Sequence, residues 1–222
     1  MKMARDKAFA RVNPSIGAHV GLDELIDAFA RGDEEVANTR FDDIELVGDC
    51  ANEAAFDGVV FRSCIFETVD FSRCSFRDVR FETCRFIRCN MERAWLSRCD
   101  FLGCSAPGLD LLGARVATVA FTDCDLSYAN LSDAKLERVR AVGTRFREVA
   151  LQRSKLRNVF FDACDLTRVD AFGTPLAGVD VSTCDFAGPV LSSDFHELRG
   201  CVMSPEQALA LAGLLGVVLA DD

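Results

Sequence analysis

The chain has 222 residues, half of them hydrophobic, eleven cysteines and a net charge of −10 from 25 Lys+Arg against 35 Asp+Glu. That balance repels phosphate and argues against direct nucleic-acid binding unless a basic face is segregated. No apolar run reaches the ~18 to 20 residues of a membrane span, so a soluble protein is expected. An odd cysteine count with no secretory leader points to reduced thiols and a cytoplasmic location rather than a disulfide framework.

Residues 1 to 38 read as an N-terminal extension. Lys2, Arg5, Lys7 and Arg11 are mixed with alanines ahead of Asn13, Pro14 and Gly17, which fits either a short helix and loop or a disordered terminus. From Gly21 the pattern predicts a capping helix. Asp23 stands at its cap, Leu22, Leu25, Ile26 and Phe29 share one face, and Glu24, Asp27 and Arg31 point away. Such a lid is what the open end of a solenoid needs.

Residues 39 to 193 keep a five-residue beat. Phe56, Phe61, Phe66, Phe71, Phe76, Phe81, Phe86, Met91, Leu96 and Phe101 fall five apart, each with a small or slim residue two positions earlier, such as Val59, Cys64, Val69 and Cys74. This period matches neither a helix nor an alternating strand. From Phe41 to Leu191 it runs without a frame shift for (191 − 41)/5 + 1 = 31 units. Weak beats fall at Ala51, Ala106, Ala141 and Ala171, and Ser105-Ala106-Pro107-Gly108 predicts a distorted corner.

A second period of twenty sets the geometry. Cys64, Cys84, Cys104, Cys124, Thr144, Cys164 and Cys184 form one series, and Phe41, Phe61, Phe81, Phe101, Phe121, Ala141, Phe161 and Val181 another. Four five-residue units therefore make one square coil, and coils stack as parallel strands ~4.8 Å apart, giving a rod roughly 37 Å long. The predicted fold class is all-β: a right-handed quadrilateral parallel β-helix with an N-terminal helical cap and a C-terminal helix.

Residues 194 to 222 read as connector, helix and short strand. Ser204-Pro205-Glu206-Gln207 is a helix start with Ser as cap and Pro at the first position. The helix is expected to run through about Leu211 and end near Gly213 or Gly216, with Val217-Val218-Leu219 as a strand. The apolar side chains there exceed what closing a narrow rod requires.

Units such as Cys124-Asp125-Leu126-Ser127-Tyr128, Ala129-Asn130-Leu131-Ser132-Asp133 and Cys164-Asp165-Leu166-Thr167-Arg168 resemble the A(D/N)LXX motif of pentapeptide repeat proteins. The tail, Ser204 to Ala208 followed by Leu215-Gly216-Val217-Val218-Leu219, resembles the C-terminal dimerisation module of the MfpA and Qnr group. That resemblance implies a DNA mimic that binds DNA gyrase and gives fluoroquinolone resistance. It also implies a tail-to-tail homodimer through Leu209, Leu211, Leu214, Leu215, Val217, Val218 and Leu219. Two features depart from the group: the segment of residues 1 to 38, and a frame with no loop insertions.

The period of twenty also sorts the outward charges. One face carries Asp49, Glu53, Asp70, Glu92, Asp110, Asp133 and Asp170 against Arg73, Arg93 and Arg153. The opposite face carries Asp42, Asp43, Glu82, Asp100, Asp123, Asp162 and Asp180 against Arg40, Arg62, Arg80 and Arg140. These are the candidate partner-binding faces. Between them lies a basic face with Arg77, Arg98, Arg115, Lys135, Arg138, Lys155 and Arg157. A net four charges over the rod is one per ~9 Å, against one per ~1.7 Å in duplex DNA, so any mimicry is of shape and partial charge.

No catalytic, metal or cofactor site is expected, and no enzyme. The inward cysteine column reads as small hydrophobes, and His19 and His196 are too few for a metal cluster. Ser193, Asp194 and His196 are triad residue types without triad spacing. The expected function is non-enzymatic modulation or protection of a type II topoisomerase, without membrane or nucleic-acid contact. The alternative is a scaffold or regulatory adaptor with another protein partner.

Overall fold

A computed structural model of the chain describes residues 8–13, 16–18, 20–31, 35–214 and 217. Each five-residue unit sets its central apolar side chain inward and then turns a corner. The corner residue, two positions after the centre, lies in the left-handed region, as at Glu53 (φ 66°), Arg73 (φ 58°), Thr118 (φ 61°) and Asp133 (φ 56°). Four corners close one coil, so the chain winds a square rod. The coil is right-handed.

Coils pair in parallel with a register of twenty. In the first wall Val36 lies against Phe56, Phe56 against Phe76, Phe76 against Leu96, and the series continues to Leu156. In the second, Phe41, Phe61, Phe81, Phe101, Phe121, Ala141 and Phe161 follow one another. Midway along the rod these two walls merge into strands that run through the corner, Trp95–Leu102, Arg115–Thr122 and Lys135–Val142. The third wall begins with strands Glu45–Val47, Ile65–Glu67 and Arg85–Ile87 and continues as single bridges. The fourth consists of single bridges from Cys50 through Asp70 and Asn90 to Val190.

The Asp and Asn residues before the central position account for much of that difference. Asp70, Asn90, Asp110, Asp125, Asn130, Asp165, Asp170 and Asp180 each accept the N–H two residues ahead, which pulls the unit into a turn. Units with Arg40, Arg80, Arg115, Lys135, Lys155 or Phe160 in that slot stay extended and pair as strands, whereas the Arg145 unit turns and is joined by single bridges. The corner expected to be distorted, Ser105 to Gly108, is regular. Ser105 bridges Arg85 and Asp125, and Gly108 takes the same left-handed turn (φ 71°) as its neighbours.

The core is a stack of rings and thiols. Phe41, Phe61, Phe81, Phe101 and Phe121 lie face to face with centroids 4.7 to 5.3 Å apart. At Ala141 the stack is interrupted, and Phe146 leans edge-on toward Phe121 and Phe161. A cavity of about 20 Å³ remains there, lined by Leu131, Leu136, Val139 and the three rings among others. Buried thiols donate to a carbonyl of the preceding coil, Cys84 to Phe61 O (3.3 Å) and Cys99 to Phe76 O (3.4 Å). Ser154 makes the same bond to Leu131 O (2.6 Å).

Both rod ends are covered. Helix α1 (Leu22–Arg31) sets Leu25 and Phe29 on the first coil, with Phe29 edge-on to Phe56 at 6.1 Å. Asp23 is not its cap. Gly21 O accepts the Leu25 N–H while Glu24 reaches back to the Gly21 N–H (3.0 Å), so the helix begins two residues earlier and Asp23 falls in its first turn. At the other end, residues 197–202 continue the hydrogen bonding beyond the expected connector: Leu176 N–H donates to Glu197 O and Val181 N–H to Val202 O. Helix α2 (Pro205–Leu214) then opens with the expected reciprocal cap, Gln207 N–H to Ser204 Oγ (3.3 Å) and Ser204 N–H to Gln207 Oε1 (2.8 Å). The Gln207 amide also donates to Val181 O and Cys184 O, pinning α2 to the last coil.

Candidate binding surfaces

Because coils repeat every twenty residues, outward charges form ladders, and many are compensated one coil away. On the fourth wall Glu53 pairs with Arg73 (3.0 Å), Asp133 with Arg153 (2.8 Å), and Glu92 with its neighbour Arg93 (3.3 Å). The Arg153 bond holds Asp133 below the usual carboxylate range. Asp70, Asp110 and Asp170 have no ion pair among the described residues. They are half-buried, and each accepts a turn N–H together with an amide, from Asn90, Asn130 and Gln152 respectively. The uncompensated charges of this wall thus recur about 10 to 14 Å apart, two and three coils.

The second wall differs. Glu82 takes Arg62 (2.8 Å) and Arg80 (3.4 Å), while Asp123 and Asp180 are exposed. Asp100 and Asp162 are buried, so these two lie apart from the solvent-facing candidates. Residues 8–13 of the N-terminal segment, without helix or strand, lie over this wall. Phe9 N–H donates to both oxygens of Asp100 (3.0 and 3.2 Å), Ala10 N–H to Asp100 Oδ2 (3.1 Å), and Arg11 N–H to Asp78 Oδ1 (2.9 Å). The Phe9 ring sits on the Arg140 guanidinium at 5.1 Å. Further down, Ile16 O accepts from Arg40 Nη1, and Gly17 O from the Arg40 N–H. Burial disfavours the Asp78 charge, but Arg98 and the Arg11 N–H outweigh it and keep its pKa low. Phe9, Asp78 and Arg140 were not legible as a group, since they are remote in sequence and share no period.

On the first wall Trp95, Arg115, Lys135 and Lys155 stand in one register column. The neighbouring cations find acids, Arg77 with Asp57 and Arg98 with Asp78. Arg115, Lys135 and Lys155 have no ion pair among the described residues.

At the C-terminal end Ser192, Asp194, His196 and Glu197 cluster. Ser192 Oγ lies 2.6 Å from Asp194 Oδ1, 2.9 Å from His196 Nδ1 and 2.8 Å from Glu197 Oε2. Asp194 also meets Nδ1 (2.8 Å), so serine and aspartate share one ring nitrogen, and a triad, which needs one on each nitrogen, is not formed. Asp194, His196 and Glu197 place ligand-type atoms within 4.8 Å of one another. The buried Glu197 carboxylate, however, already accepts from Gly173 N–H (2.8 Å) and Ser192 N–H (3.2 Å), which makes it a clasp for the final coil. The Asp194 bond raises the His196 pKa, and bonds from Ser192 and His196 lower that of Asp194.

Of the apolar tail residues, Leu211 is buried against the rod, whereas Leu209 (55% exposed), Leu214 (50%) and Val217 (51%) face outward. Leu215, Val218 and Leu219 lie outside the described residues. No helix among the described residues is long and apolar enough to cross a membrane.

The family described as pentapeptide repeat region matches residues 35–111 and 79–141, and that described as pentapeptide repeats (8 copies) matches residues 144–188. No curated protein matches the chain in sequence. Among solved structures, a trypsin-treated QnrB1, a plasmid-mediated fluoroquinolone resistance protein, superposes with a TM-score of 0.52 at 21% identity, over 85% of this chain and 92% of that one. A second trypsin-treated QnrB1 gives 0.49 at 18% identity, over 82% and 100%. HetL, a pentapeptide repeat protein involved in heterocyst differentiation regulation from the cyanobacterium Nostoc, gives 0.37 at 19% identity, over 83% and 98%. At these identities the likeness is one of fold.

Proposed function

The chain belongs to the pentapeptide repeat family, whose solenoids serve structural and binding roles, and from that premise we propose that it is a non-enzymatic, cytoplasmic protein that binds a type II topoisomerase such as DNA gyrase in place of DNA. The fourth wall carries the reading. Asp70, Asp110 and Asp170 are held at fixed height by turn and amide hydrogen bonds, so their charges are presented without the mobility of ordinary surface carboxylates. Their spacing makes the surface a sparse copy of a duplex, matched in shape more than in charge density. The resistance role of QnrB1 supports the choice of partner.

Purified protein at micromolar concentration should retain gyrase subunits in a pull-down and either inhibit supercoiling or relieve fluoroquinolone poisoning. Absence of all three would remove the proposal. Asp70→Asn/Asp110→Asn/Asp170→Asn should weaken retention while preserving the turns, because an Asn oxygen accepts the same N–H.

A second reading is favoured by the uncompensated column of Arg115, Lys135 and Lys155, which suits an acidic protein partner of an adaptor. Charge reversal at Lys135, Arg138 and Lys155 separates the two: loss of partner binding there, with fourth-wall variants intact, favours the adaptor. The outward Leu209, Leu214 and Val217 support a homodimer through the tail. Leu209→Glu/Leu214→Glu, which spares the buried Leu211, should then sediment as a monomer, and a persistent dimer would refute the tail-to-tail arrangement.

A further inference from the structure

The N-terminal segment is held on the second wall as a bound peptide is held. Consecutive main-chain N–H groups of Phe9, Ala10 and Arg11 are clamped by two carboxylates, Asp100 and Asp78, from coils 67 to 91 residues away. Its one anchoring side chain among these contacts is Phe9, seated on Arg140. Asp100 is 1% and Arg140 4% exposed, so both are enclosed when the segment is in place. The segment adds no strand to the wall. It crosses the coils and is not one of them, attached through main-chain donors with Phe9 on Arg140 and a buried Ile16 as its apolar anchors.

Charge complements the geometry. Residues 1 to 12 hold Lys2, Arg5, Lys7 and Arg11 against Asp6 alone, and the wall meets the segment through Asp78 and Asp100, while its Arg40 is taken up by Asp42 and its Arg62 and Arg80 by Glu82. Asp100 also departs from its equivalents. An aspartate before a central residue ordinarily turns back onto the N–H two ahead, as Asp110 does to Leu112. The Asp100 carboxylate faces outward to the N-terminal segment, and its own unit stays extended within the strand Trp95–Leu102.

We propose that the second wall, from Arg40 to Arg140, is a docking surface for a basic peptide, occupied in the resting protein by the chain's own residues 8–13, 16 and 17. A basic segment of a partner reaches the wall by displacing that strap. The idea deepens the protein-binding reading of the rod but does not depend on which partner it binds.

The test uses the full chain and a fluorescein-labelled synthetic peptide with the sequence of residues 1–17. Phe9→Gly removes the ring seated on Arg140 and leaves every rod residue native, and Ala10→Pro removes a clamped N–H without adding charge. Hydrogen exchange at residues 9–11 should be slow in the native chain and fast in both variants. Fluorescence anisotropy should show the peptide binding the variants at least tenfold more tightly than the native chain. Adding Asp100→Asn to Phe9→Gly should reverse the gain. Equal affinity for native and variant chains, no binding to either variant, or exchange that stays slow in both variants would each overturn the proposal. A failed gyrase pull-down would leave this result untouched, so the two readings fail separately.

Discussion

At the scale of single residues, the core is governed by the match between ring thickness and coil spacing. Phe81 stacks on Phe61 at 5.3 Å and on Phe101 at 4.7 Å, and replacing it leaves a void that neighbouring coils cannot fill without breaking register. Phe81→Ala should cost about 3 to 5 kcal/mol in denaturant unfolding. Ala141→Phe restores the missing rung in sequence only. The space is already taken by Phe146 and the residual cavity is about 20 Å³, so overpacking should destabilise by about 1 to 3 kcal/mol. The thiols are protected by the same enclosure. Burial pushes Cys74 and Cys99 up to about 12, and neighbouring thiols together with burial raise Cys84, Cys124 and Cys164. Nine of the eleven cysteines are buried, so a maleimide should label only Cys50 and Cys201 in the native protein and all eleven in urea.

At the scale of the five-residue unit, the inward positions were legible from the beat and the corners were not. A side chain's size announces whether it faces a core, but nothing in Thr68, Arg73 or Thr118 announces a left-handed backbone. The repeating hydrogen bonds impose it, at a cost that the packing of each coil offsets. Thr68 is β-branched at φ 53°, and Thr68→Gly should stabilise the rod by about 0.5 to 1 kcal/mol, measured by the shift in urea midpoint. The candidate carboxylates show the same division. Their column was readable from the period, whereas their use as turn acceptors and the covering of Asp100 depend on local backbone and a distant segment. The terminal turn makes a pH prediction. The bond to Asp194 favours protonated His196 in the folded state. Its contribution is complete below the ordinary value of 6.5 and lost as pH rises through the raised folded value. NMR should find His196 titrating above 6.5, and Asp194→Asn should return it toward 6.5.

At the scale of the whole molecule, each coil touches only the coil before and after it, so stability is carried by neighbouring interfaces and protected at the two ends. The identical register that gives the rod its order also means that an uncovered end coil would offer the same unpaired backbone and flat apolar cross-section that every inner coil satisfies with a neighbour. Among the described residues, α1 at one end and residues 197–202 with the Gln207-pinned α2 at the other stand between those surfaces and another copy of the chain. Gln207→Ala combined with Ser204→Ala should therefore produce concentration-dependent growth in light scattering, with particles lengthening end to end and thickness unchanged, whereas clumping without a rod-like form would assign the helices a different role. Seen this way the molecule is a fibre one chain long, and α1 and α2 are what keep its polymerisation from going further.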